Sequence, residues 1–288
     1  MSHVKTALGV IVKLLLIVIF GFPFFWMLST SLQTLEEVNP VTPTFLPASP
    51  QFQNYVEAWN YGATGMGVYL KNSVIVVVAI IAILVIVSIP MVNSALDKAK
   101  TATDDANARA ANAFARYEFR FKKLCFGLVL IALMMPTQIT FLPVYLMFSD
   151  LDLINTLWPQ ILPFMTDAFS IFLLRQYFMQ VPDERLDKAG EFKIIWKIML
   201  PLARPTVVTL AMLTFISVWN DYFWPLVMTN SDSVRTLPVG VAQLKQMEGL
   251  SNWNVIMAGN GILVFPILFV YLFASKKILH SFAYSGIK

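Results

Sequence analysis

The chain of 288 residues is 57% hydrophobic and only 13% charged, with a mean hydropathy of +0.67, whereas soluble domains carry roughly a quarter charged residues. That excludes a disordered chain and a water-soluble globule, and the formal charge of +4 points to no nucleic-acid partner. One cysteine, Cys125, can form no internal disulfide, and two histidines at opposite ends, His3 and His280, make no metal cluster, so neither a metal nor a cofactor is expected.

Crossing a hydrocarbon core takes about 20 apolar helical residues, and blocks of that size occur six times. The first, residues 7–31, is too long for the apolar part of a signal peptide. It ends in Ser29-Thr30-Ser31-Leu32-Gln33 without a small-x-small cleavage site, so it is expected to remain as a span. A segment rich in proline and aromatics, residues 33–69, leads to the second block at 70–92. The β-branched run of that block would favour a strand in water; in lipid a lone strand leaves its backbone groups unpaired, so a helix is expected. Residues 94–115 place alanine at almost every second position between Asp, Lys, Asn and Arg. They favour helix but cannot enter lipid, and form either a solvated insert or a docking surface.

The third and fourth blocks, 124–148 and 157–179, are separated by a very short turn near 149–155. Beyond them lies the stretch 181–205, where Ile194, Ile195, Ile198 and Met199, with cations at Lys193, Lys197 and Arg204, make a short element that Pro201 and Pro205 are expected to stop before the fifth span. This amphipathic element either lies on lipid or docks a protein partner. The fifth block, 206–228, the stretch 229–257 and the sixth block, 258–275, complete the chain. The expected fold class is an all-α integral membrane protein, a single domain of six transmembrane helices. With both termini in the cytoplasm, all of the 21 Lys and Arg except Lys71, Arg235 and Lys245 fall on the cytoplasmic side, as the positive-inside rule requires.

Polar groups inside spans are costly, so those present are candidates for a pathway: Gln138 and Thr140 in the third, Gln160 and Asp167 in the fourth, Asn220 and Asp221 in the fifth, Asn260 in the sixth. The alternative role for Gln138, Asn220 and Asp221 is to cap or bridge helices broken by Pro136, Pro143 and Pro225. Nothing else in the chain supports Asp167 and Asp221 as a proteolytic carboxylate pair. No Gly-x4-Gly-Lys-Ser/Thr loop is present, so the chain is not expected to be an enzyme and any ATPase must be a separate subunit.

Four long segments carry a resemblance: FARYEFRFKKLCFGLVLIALMMPTQITFLPVYLMF at 114–148, INTLWPQILPFMTDAFSIFLLRQYFMQVPDE at 154–184, FKIIWKIMLPLARP at 192–205 and WNDYFWPLVMTNSDSVRTLPVGVAQL at 219–244, with a terminal Ser-Gly-Ile-Lys. The chain resembles the permease subunit of a bacterial binding-protein-dependent ABC importer, in the carbohydrate-uptake branch that includes the maltose and glycerol-3-phosphate systems. That resemblance implies a bacterial cytoplasmic (inner) membrane protein that forms, with a second homologous permease, the path for a sugar or polyol. An external substrate-binding protein would deliver the substrate, and separate ATP-binding subunits would drive its passage. Sugar hydroxyls would then meet Gln138, Thr140, Asn220 and Asp221, and aromatics such as Trp219 and Tyr222 would pack on ring faces.

The resemblance also implies a cytoplasmic coupling helix between the fourth and fifth spans, held in a cleft of the ATPase. Its residues would be Asp183, Glu184, Asp187, Lys188, Gly190, Phe192, Ile195, Trp196, Ile198, Leu200 and Pro201. Two features depart from the family pattern. Ile198, Leu200 and Pro201 match the end of its coupling motif, but that register puts Lys188 where a glycine is expected and Pro182-Asp183-Glu184 where Glu-Ala-Ala is expected. The insert 94–115 has no counterpart. Other readings are an ion-coupled secondary carrier, which would show an inverted repeat and midplane ionisable groups, or a non-transporting membrane protein if ATPase engagement is lost. For the topology, cysteines placed at positions 60 and 240 are expected to react with an impermeant reagent added outside intact cells, and cysteines at 105 and 195 are not; labelling at 105 would overturn it.

Overall fold

The computed structural model describes residues 2–38, 44–88, 121–165, 167–178, 200–246 and 252–284. Among these every regular element is helical, as the backbone's need for internal hydrogen bonds in lipid dictates. Helix α1 covers Ser2–Ser31, α2 Leu35–Val38, α3 Gln53–Trp59 and α4 Met66–Ser88. They are followed by α5 (Lys122–Met134), α6 (Thr137–Asp150), α7 (Trp158–Ile161) and α8 (Ala168–Phe178). Helices α9 (Leu200–Trp219), α10 (Phe223–Met228), α11 (Leu237–Gln243) and α12 (Trp253–Tyr284) complete the order. The insert 94–115 and nearly all of the coupling region 181–205 lie outside the described residues.

Among the described residues, three helical stretches are long and apolar enough to cross a membrane: Gly9–Ser31, Met66–Ile83 and Trp253–Leu272. They correspond to the first, second and sixth expected blocks, and the β-branched run of the second is helical throughout. The third block is not one straight helix. Met135 is extended (ψ 122°) before Pro136, because the proline ring disfavours the helical conformation of the preceding residue. As a result α5 and the body of α6 meet at about 95°. Pro143, by contrast, sits inside α6 without ending it.

Blocks four and five are also interrupted. A short 3-10 turn, Leu162–Phe164, follows α7, and Asp167 starts α8 anew. Residues 220–222 separate α9 from α10. The amphipathic element at 194–199 that Pro201 and Pro205 are expected to stop lies outside the described residues. Helix α9 contains Pro205 and runs on through it.

Two compact units emerge, Met1–Lys71 with Arg235–Phe269 and Asn72–Val234 with Val270–Lys288. In the first, buried Asn54 on α3 donates its side-chain N–H groups to the carbonyls of Ser31 and Gln33, each at 2.9 Å, and so satisfies two groups left open where α1 ends. Its carbonyl oxygen accepts from Asn254 at the start of α12 at 3.1 Å. A capping box opens α2: Thr34 Oγ1 accepts from the Glu37 N–H, and the Glu37 carboxylate accepts from the Thr34 N–H at 2.8 Å. The same carboxylate takes the Ala48 N–H at 2.8 Å. These two backbone donors, Thr34 first, hold the Glu37 carboxyl below its ordinary range.

The fully buried Tyr69 ring lies flat against Gly240 of α11, and its hydroxyl donates to Gln243 Oε1 at 3.0 Å, while Tyr61 donates to the Gln243 carbonyl at 3.2 Å. Any Cβ at 240 would overlap the Tyr69 ring. In the second unit Val76 and Ile80 of α4 pack on Ile161 of α7, with Leu157, Phe164 and Val218 around them.

Because Gly240 is buried, a cysteine there is unsuited to topology labelling, and the exposed Lys245 replaces it as the probe of that stretch. Gly240→Ala is expected to destabilise the protein by about 1–3 kcal/mol through overpacking, read as a lower thermal midpoint in detergent. Adding Tyr69→Leu, which removes the ring, should recover part of that loss; equal stability of wild type and Gly240→Ala would contradict the packing described.

Candidate functional site

Where a helix breaks in an apolar surrounding, its open N–H and carbonyl groups need partners, and the described residues of the second unit contain three such breaks. Helix α9 ends at Trp219, whose ring is buried and stacked on Phe215 at 5.4 Å. Asn220 folds back to donate to the Ile216 carbonyl at 2.8 Å. Asp221, partly buried, accepts the Trp224 N–H at 3.3 Å and so caps the first turn of α10. Tyr222 and Phe223, 43% and 53% exposed, keep open ring faces.

Trp224 joins the breaks. Its indole N–H donates to the Pro159 carbonyl of α7 at 2.7 Å. Its ring meets Phe141 of α6 and Phe164 edge-on, at 5.6 and 6.0 Å, arrangements that suit the opposite charge of ring faces and edges. Phe141 also lies 5.2 Å from Phe223. The first turn of α6, which carries Gln138 and Thr140, is thereby held beside the start of α10. Thr140 itself is exposed and donates to the Thr137 carbonyl at 3.1 Å.

The other polar candidates have local duties. Gln160 is buried and donates to the Val234 carbonyl at 3.2 Å, Asp167 caps α8 through the Ser170 N–H and hydroxyl, each at 2.9 Å, and Asn260 donates to Ile256 one turn earlier at 2.9 Å. Of the coupling residues, Leu200 and Pro201 begin α9; Asp183, Glu184, Asp187, Lys188, Gly190, Phe192, Ile195, Trp196 and Ile198 lie outside the described residues.

Sequence reasoning did not single out Asn155. This residue takes a left-handed conformation (φ 64°), and its side-chain oxygen accepts from the Asn230 N–H, the Ser231 N–H and the Ser231 hydroxyl, each at 2.9 Å. Its own N–H donates to the Met228 carbonyl at 2.8 Å. The turn 149–155 and the stretch after α10 are thus tied together, with Asn72 at the start of the second block reaching the Ser233 carbonyl at 2.9 Å. The available signal was an asparagine at the end of a tight turn, a residue that tolerates left-handed backbone and bonds nearby amides.

Residues 109–280 match the family described as binding-protein-dependent transport system inner membrane component. Similar proteins include the probable ABC transporter permease protein YurM of Bacillus subtilis, 29% identical over 99% of this chain and 89% of that protein. The arabinooligosaccharides transport system permease protein AraQ of Halalkalibacterium halodurans is 30% identical over 93% of this chain and 91% of its own length. The sn-glycerol-3-phosphate transport system permease protein UgpE of Brucella abortus is 29% identical over 95% and 94%. A chain in the crystal structure of a bacterial ABC transporter involved in the import of the acidic polysaccharide alginate shares the fold, with a TM-score of 0.77, 20% identity and 96% of each chain covered.

If Asp221 serves as the cap of α10, Asp221→Ala is expected to cost about 1 kcal/mol and Asp221→Asn only a few tenths, because an asparagine oxygen can accept the same N–H. Thermal unfolding of the two variants in detergent measures the difference, and equal losses would remove the capping role.

Proposed function

The chain belongs to the family of binding-protein-dependent transport system inner membrane components, and from that premise we propose that it is the permease subunit of an ABC importer for a sugar or related polyol. The observation that carries the reading is the similarity, along nearly the whole chain, to permeases named for arabinooligosaccharide and glycerol-3-phosphate transport. In the proposed assembly it pairs with a second homologous permease, receives substrate from an external binding protein and is driven by separate ATP-binding subunits. Six spans with both termini cytoplasmic are part of the proposal. It is supported by the hydrogen bonds of Asn72 and Asn155 to residues 230–233, since all three segments are assigned to the outer face.

The proposed pathway runs past the α9–α10 break. Irregular backbone at membrane depth is tolerated where it is buried in protein or lines a cavity, and discontinuous helices often form transporter substrate sites. Thr140, Asn220 and Asp221 supply hydroxyl, amide and carboxylate groups suited to sugar hydroxyls, with Gln138 in the adjoining first turn of α6. Tyr222 and Phe223 offer ring faces for the apolar side of a sugar. Trp219, the other aromatic candidate, is buried and stacked on Phe215.

The proposed coupling region retains Phe192, Ile195 and Trp196 as apolar anchors for an ATPase cleft, because apolar groups bury without charged partners. Asp183, Glu184 and Asp187 favour the N-terminal end of a helix through its dipole. The affinity-purified wild-type protein is expected to bring with it a homologous permease and ATP-binding subunits, and Trp196→Ala to release the latter. Vesicles holding this chain alone should not accumulate a sugar against its gradient; accumulation without an ATPase would refute the assignment.

A further inference from the structure

The segment between α1 and α4 carries apolar side chains that its own unit leaves uncovered. On α3 and its flanks the residues fall into three sectors at about 100° per residue. Asn54 and Ala58 are buried against the protein. Gln53, Glu57 and Asn60 are exposed and polar, and Phe52, Val56 and Trp59, at positions i, i+4 and i+7, are 69%, 48% and 41% exposed and apolar. Three sectors of this kind match three surroundings: protein, water and lipid.

The level of α3 follows from its attachments. Asn54 binds the Ser31 and Gln33 carbonyls, and the Tyr55 and Ser31 hydroxyls lie 2.9 Å apart, so the start of α3 sits where the apolar run of α1 ends. At its other end the Trp59 ring rests 3.4 Å from the place of a Cβ on Gly67, in the first turn of the spanning α4. Both ends are therefore held at the boundary where spanning helices leave hydrocarbon. Phe45 extends the same surface inward: the Ser29 hydroxyl donates to its carbonyl, and its ring meets Trp26 edge-on at 5.7 Å, about one turn inside the end of α1. Phe45 and Leu46 are both exposed, as are Phe24, Phe25 and Leu28 of α1, which flank Trp26 and Ser29 in sequence. The apolar surface of the span thus continues onto this segment.

We propose that Phe45, Leu46, Phe52, Val56 and Trp59 form a lipid-inserted belt that anchors the α1–α4 connection in the interfacial layer of the outer leaflet, with Gln53, Glu57 and Asn60 turned to water. Aromatic rings are suited to this depth, and a short helix with separate apolar and polar faces lies in the interfacial plane. The belt holds the ends of two spans at one height through Asn54 and Trp59. It rests on the reading of α1 as a membrane span, which the test examines separately.

Spin labels placed by Phe52→Cys, Val56→Cys, Gln53→Cys and Glu57→Cys in a Cys125→Ser background, within the assembled transporter in lipid nanodiscs, report the surroundings of each face. Oxygen, which enters lipid, and a water-soluble nickel chelate are the relaxing agents, with Ile17→Cys on α1 as the control. The expected result is an oxygen-to-nickel accessibility ratio several-fold higher at 52 and 56 than at 53 and 57, approaching that at 17. Nickel-accessible labels at 52 and 56 beside an oxygen-rich label at 17 would overturn the belt and leave the span standing. Immobile labels at 52 and 56 shielded from both agents would show a protein partner in place of lipid, and also overturn it. A nickel-accessible label at 17 would refute the span and the belt together. Without any label, brominated lipids should quench the emission that is lost on Trp59→Phe; an unquenched difference would likewise refute the belt.

Discussion

A backbone surrounded by lipid has no water to complete its hydrogen bonds, and the placement of polar side chains in this protein follows from that constraint. Continuous helices meet it by themselves. At several ends and breaks among the described residues a side chain is brought in: Asn54 for the end of α1, Asn220 and Asp221 for the junction of α9 and α10, Asp167 for the start of α8, Asn155 for the stretch after α10. Each carries an oxygen or amide on a short stem, which costs little side-chain entropy to fix beside the backbone. Where the group is buried, as at Asn54, the bonds are hard to replace, since an unmade partner is left desolvated.

The same constraint ties structure to transport. A pathway for a polyol has to present hydrogen-bonding groups inside a membrane, and in the proposed path those groups are the ones the broken helices already require. At the α9–α10 junction the cap residues and the exposed faces of Tyr222 and Phe223 occur within four consecutive positions. Trp224 then fixes that junction to α7 by one hydrogen bond and to α6 by ring contacts. A shift of any one of these helices alone would break the indole bond or separate the rings, so this arrangement favours their moving as a group.

Close packing does for the first unit what aromatic contacts do for the second. Gly240 admits the Tyr69 ring against the backbone of α11, and Gly259 admits Leu244 against α12. Such close approach supplies dispersion contacts that bulkier residues would forbid. Tyr69 adds a hydrogen bond to Gln243 in the same contact, so ring and hydroxyl are both satisfied by one helix.

Much of this was legible in the sequence. Hydropathy located the uninterrupted helices, because their length answers to bilayer thickness alone, and the long motifs after residue 114 indicated the family. Pro136 and Pro225 marked the neighbourhoods of two breaks, yet Pro143 and Pro205 stand inside helices, and only the surrounding packing distinguishes the cases. Asn220 and Asp221 were recognisable as costly polar groups, but their hydrogen bonds depend on which backbone groups the break exposes. Trp219 and Tyr222 are similar in sequence context and opposite in burial, 2% against 43%, since a helix end turns adjacent residues in different directions. Composition and hydropathy by themselves determined that the chain is a helical membrane protein, because solvation in lipid acts on local sequence. Which helices break, which asparagine meets which carbonyl and which ring stays open were decided by tertiary structure, because those contacts join residues as far apart as Asn54 and Asn254.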